Sequence, residues 1–167
     1  MNRVLVSCSI VSILLILIQT ALFSHIPFFL VTADLLLVFI TFVAINNGSR
    51  FAMVLGFISG ILLDFMSLSP FGLSSFILIF ISFFLGKLYG KYNLSHFSIP
   101  FILAIVATGL KFLLLILLHF LFGSAVKVYN IYDKTFLIEL ILNVLFAPLI
   151  FFVLNRFPSL FKSLGDV

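Results

Sequence analysis

An all-α, polytopic membrane protein with six spanning helices is the fold class this sequence predicts, and three observations lead to it. The 167 residues are 64% hydrophobic and only 8% charged, with a mean hydropathy of +1.43, whereas soluble domains are roughly half apolar. Long apolar runs fall at about 4–24, 28–46, 51–69, 73–89, 99–122 and 135–154. Most approach the roughly 20 residues with which a helix crosses about 30 Å of hydrocarbon. The connections are short and carry turn formers, as antiparallel neighbours require. Without an internal repeat, low-complexity tract or linker, residues 1–167 read as a single transmembrane domain.

The first run follows Arg3 and could pass for a signal peptide, but it is longer than an h-region and no Ala-x-Ala pattern follows, so a retained first helix is expected. Cys8, after Val6-Ser7, faintly echoes a lipoprotein site; too few residues precede it, and it reads as a small buried apolar side chain. One cysteine permits no internal disulfide. Asn46-Asn47-Gly48-Ser49-Arg50 turns the second run into the third, and Ser67-Leu68-Ser69-Pro70 ends the third. Ala52, Gly56, Gly60 and Asp64 recur every four residues on one helix face, which lets another backbone come close, and Pro70 and Gly72 follow at the turn.

The fourth run is the weakest, with Lys87, Tyr89 and Lys91 placed to anchor at an interface. Its Ser82, Gly86 and Gly90 form another small-residue face. Tyr92–Ser98, before Pro100, is the next inner connection. Gly123–Lys134, with Lys127, Tyr129, Tyr132 and Asp133, is either an outward contact surface or an interfacial loop with a tyrosine belt. In the sixth run Glu139, Asn143 and Ala147 share a face ahead of Pro148.

Basic residues set the orientation. With the N-terminus inside, Arg3, Arg50, Lys87, Lys91, Arg156 and Lys162 are inner and only Lys127 and Lys134 are outer, so both termini are expected in the cytoplasm. The +4 net charge then faces anionic headgroups. No cluster of bases supports nucleic-acid binding.

Asp34, Asp64, Lys111, Glu139 and Asn143 fall within the predicted spans, the three acids in one outer half. An unpaired charge at the bilayer centre costs from about 3 to over 10 kcal/mol. Lys111 is therefore expected to pair with an acid, Asp64 first among them. Three acids against one base leave a carboxyl to be protonated or to reach water. Such a group can lock helix order, carry protons or a ligand, or meet a partner.

The residues of an enzyme are missing. Gly72-Leu73-Ser74-Ser75 with His119 resembles an intramembrane serine protease only faintly. His25, His96 and His119 lack metal-ligand spacing. Phosphate-binding and dinucleotide glycine patterns are absent, and no cofactor is expected. The 24 Phe residues read as lipid-facing and packing bulk.

Gly56-Phe57-Ile58-Ser59-Gly60-Ile61-Leu62-Leu63-Asp64, with Ser67 and Pro70-Phe71-Gly72, resembles the signature of the bacterial rod shape-determining protein MreD family. Upstream, Asp34-Leu35-Leu36-Leu37-Val38-Phe39 resembles the family's Pro-Asp-Leu-Leu-Leu helix start, with Ala33 where the proline usually stands. The resemblance implies a non-enzymatic inner-membrane subunit of the cell-elongation machinery. It would bind MreC and connect with MreB filaments, RodA and a class B penicillin-binding protein in lateral-wall peptidoglycan synthesis. The family also looks similar to the six-helix S components of vitamin uptake transporters. That similarity implies a second reading, a substrate-capturing subunit whose acids line a pocket.

Overall fold

Backbone amides in lipid have no water to bond, so apolar runs of this length close their hydrogen bonds internally as helices. The computed structural model describes residues 2–24, 33–67, 70–91, 98–123, 126 and 134–161, and its elements are α1 (Asn2–Ser24), α2 (Leu35–Met66), α3 (Leu73–Gly86), α4 (Ser98–Phe122), α5 (Lys134–Asn155) and α6 (Pro158–Phe161). Four of these, α1, α2, α4 and α5, are long and apolar enough to cross a membrane. His25, His96, Lys127, Tyr129, Tyr132, Asp133 and Lys162 lie outside the described residues.

The expectation of six separate runs meets two differences. The second and third runs form α2, 32 residues interrupted only at Gly48, whose φ of 81° and ψ of 171° are not helical. The expected five-residue turn is thus reduced to one glycine, the residue that adopts positive φ without a steric penalty. Asn46 and Asn47 are helical, and their amides donate back to the carbonyls of Phe42 and Val43, at 2.9 and 3.3 Å. The fourth run yields α3, which has 14 residues and spans about 21 Å. It stops at Gly86, and turn hydrogen bonds carry the chain through Lys87–Lys91.

The third run ends at Met66, not 69, because Ser67 is extended. α6 was not anticipated; Pro158 opens it, at the position where a missing amide hydrogen costs nothing.

Leu35–Ile45, the first half of α2, is buried on every face, the pattern of a central helix. It runs parallel to the α5–α6 arm. Phe42 meets Phe151 edge-on at 5.1 Å, Phe39 and Phe42 both meet Phe161, and the Asn47 amide donates to the Phe161 carbonyl at 2.7 Å. α4 runs antiparallel to α5, with Phe112 over Phe136 at 4.3 Å. α1 packs on α2 and α6, and its Cys8, Ser12 and Ile16 are buried at four-residue spacing.

The second half of α2 (49–66) and α3 form a tight antiparallel pair. Small residues make it possible. A Cβ added to Gly56 would come within 3.0 Å of the Ser82 hydroxyl and 3.2 Å of the Leu78 backbone; one added to Gly60 would lie 2.6 Å from the Ser75 nitrogen; one added to Gly86 would lie 2.5 Å from the Ser49 nitrogen. Ala52 is fully buried on the same stripe.

Candidate functional site

Two separate polar centres hold this fold. The first gathers on Asp34, the N-cap of α2. Its Oδ1 accepts from the Leu37 amide at 3.0 Å, meeting one of the donors that a helix start leaves unpaired. Its own amide donates to Asn143 Oδ1 at 2.7 Å, and its Oδ2 accepts from Lys111 Nζ at 2.6 Å.

Lys111 also donates to Glu139 Oε1 at 2.7 Å. Asn143 completes the group by donating from Nδ2 to Thr108 Oγ1 at 3.1 Å. Helical spacing assembles these groups: Thr108 and Lys111 are three residues apart on α4, and Glu139 and Asn143 four apart on α5, so each pair shares a face. The Lys111 side chain is 20% exposed, those of Asp34 and Glu139 10% and 7%. Ionised, the triad carries two negative charges against one positive, with Lys111 placed between the carboxylates.

The second centre is Asp64, and the expected pairing of Lys111 with it is corrected. Asp64 Oδ2 accepts from the Gly72 amide at 2.9 Å and from the Ser75 amide and hydroxyl at 3.4 and 3.1 Å, while Oδ1 accepts from the Ser74 amide at 2.9 Å. These donors open α3, whose N-cap Gly72 has no side chain to cap with. The carboxylate therefore meets the partial positive charge of a helix N-terminus a few residues away, and needs no cation.

Pro70 and Gly72, expected among the close-packing residues, shape this turn instead. Pro70 is exposed and its carbonyl accepts from Leu73 at 3.1 Å. Gly72 has open space where a Cβ would stand, but a φ of 92°. Gly56 and Gly60 do lie at the close helix contact described above, and Ala52 is buried on their stripe.

The faint serine–histidine reading dissolves in the same geometry. Ser74 and Ser75 serve the α3 cap, and His119 Nδ1 lies 2.7 Å from the Val126 carbonyl. Among the described residues no group of His, Cys, Asp or Glu could hold a metal ion. Thr108 was missed by sequence reasoning; its signal was its place one turn before Lys111 on the same face.

The arrangement ties helices together. Asp34, Lys111, Glu139 and Asn143 join α2, α4 and α5, whereas Asp64 joins the end of α2 to the start of α3. Comparison with known proteins adds a family: the model for the rod shape-determining protein MreD matches residues 1–157. Neither the curated proteins nor the solved structures give a significant match.

Proposed function

Because the chain belongs to the rod shape-determining protein MreD family, we propose that it is a non-enzymatic, multi-pass subunit of the bacterial inner membrane that binds MreC and helps couple MreB filaments to RodA and a class B penicillin-binding protein during lateral-wall synthesis. Its single domain crosses the membrane six times, with both termini cytoplasmic. Gly48 separates the second and third crossings, and the short α3 is the fourth.

One observation supports a scaffold over a ligand-capturing subunit. The acids within the membrane-spanning helices are met by the chain itself, Asp34 and Glu139 by Lys111 and Asp64 by the backbone of α3. Groups spent on one another hold a bundle in register and present its outer faces to partners.

Co-purification of the detergent-solubilised full chain from its native membrane tests this. MreC is expected with the wild-type chain, and less of it with Lys111→Met at equal protein. Recovery of an energy-coupling ATPase with its transmembrane partner would overturn the proposal.

A further inference from the structure

We propose that the exposed flank of α3 is a binding site for one anionic glycerophospholipid, its phosphate held by Arg50, Lys87 and Lys91 and an acyl chain laid along Phe84, Phe80 and Phe76.

The flank is a continuous aromatic rail. Phe76, Phe80 and Phe84 follow at four-residue spacing, with centroids 5.8 and 5.0 Å apart, and Phe83 meets Phe84 at 5.5 Å. All four rings are exposed. The opposite face of α3, through Ile77, Leu78, Ile81 and Leu85, is buried, so the rail faces away from its own bundle.

Positive charge gathers where the rail ends. Lys87 Nζ stands 4.3 Å above the Phe83 ring and 5.9 Å from that of Phe84. Ser49 Oγ donates to the Phe83 carbonyl at 3.1 Å, which brings the neighbouring Arg50 to the same end. Lys91 closes the turns that follow Lys87, its amide donating to the Leu88 carbonyl at 3.1 Å. All three side chains are exposed. Among the described residues the acids are Asp34, Glu139 and Asp64: the first two are engaged by Lys111, and Asp64 caps the opposite end of α3.

Length supplies the second argument, which rests on the proposal that α3 is a crossing. At about 21 Å, α3 is shorter than the roughly 30 Å of hydrocarbon, a mismatch met by local thinning and by drawing headgroups to flanking bases. A phosphate with an attached chain satisfies both halves of this surface.

Native mass spectrometry of the full chain in detergent, with phosphatidylglycerol and phosphatidylcholine of matched acyl chains as competing probes, tests the site. The wild type is expected to retain one phosphatidylglycerol with about tenfold preference. Arg50→Gln/Lys87→Gln/Lys91→Gln should erase that preference, Arg50→Lys/Lys87→Arg/Lys91→Arg should keep it, and Phe76→Ala/Phe80→Ala/Phe84→Ala should weaken both lipids alike. Equal retention of the two lipids by the wild type, or an unchanged preference in the Gln variant, overturns the proposal. So does Phe80→benzoylphenylalanine in native membranes if it cross-links polypeptide instead of lipid. Monodispersity and thermal stability of each variant confirm folding.

Discussion

Lys111 and Asp34, 77 residues apart in the chain, meet through an Nζ–Oδ2 contact of 2.6 Å that fastens α4 to the N-terminus of α2. Glu139, 2.7 Å from the same nitrogen, adds α5. The ammonium is thus the one charge that separates two carboxylates within the bundle.

Its removal should be the most damaging polar substitution. Lys111→Met leaves Asp34 and Glu139 facing each other, and removing one partner of a buried pair costs about 3–5 kcal/mol. For a chain of this length we expect the apparent Tm in detergent, followed by size-exclusion chromatography of heated samples, to fall by roughly 10 °C. Adding Asp34→Asn and Glu139→Gln to Lys111→Met should recover much of that loss.

Asn143 works through both ends of its amide. Asn143→Leu strands the Asp34 amide and the Thr108 hydroxyl, at about 1–3 kcal/mol. Asn143→Asp keeps an acceptor for Asp34 but loses the donor to Thr108 and adds a third carboxylate. The same heating assay should rank Asp below Leu, and the opposite order would refute the charge balance assigned to this centre.

Asp64 should act independently of Lys111. Asp64→Asn keeps one acceptor oxygen but loses the charge at the start of α3, a change of about 1 kcal/mol. Amide hydrogen exchange at Gly72, Ser74 and Ser75 should quicken while that of α4 stays unchanged. With no contact shared between the two centres, Asp64→Asn and Lys111→Met should add within about 0.5 kcal/mol; strong coupling would restore the pairing that the geometry rejects.

The glycines should separate by what an added methyl meets. Gly60→Ala and Gly86→Ala drive a Cβ against the backbones of Ser75 and Ser49, whereas Gly56→Ala meets Ser82 and Leu78 at 3.0 and 3.2 Å. Gly109→Ala meets nothing within 4 Å and should stabilise α4 by up to about 1 kcal/mol through helix propensity. Melting temperatures should follow the order Gly109→Ala, wild type, Gly56→Ala, then the other two.

Hydropathy located the apolar stretches that became α1 to α5, though not α6 or the joining of two runs in α2, because an apolar backbone in lipid has one way to close its hydrogen bonds. The four-residue spacing that includes Gly56 and Gly60 likewise announced a close helix contact, which α3 makes. Direction was not legible: placing Asp64 and Lys111 on helices gives a position along each axis and no azimuth. The clue to Asp64 lay nearby, since Gly72-Leu73-Ser74-Ser75 opens a helix whose amides are closer in sequence than any cation. Gly48 turned the chain more tightly than five polar residues suggested, because one glycine at positive φ suffices to break the helix.

The separation of partners along the chain carries a consequence in time. Asp64 finds its last donor 11 residues downstream, so that acid has all its hydrogen-bond donors within reach as soon as α3 begins to leave the ribosome. Asp34 waits 77 residues for Lys111, roughly 4–15 s at ordinary elongation rates. The hairpin of 49–86 is complete first, and the nascent chain holds an unpaired acid until its second half arrives and latches the central helix.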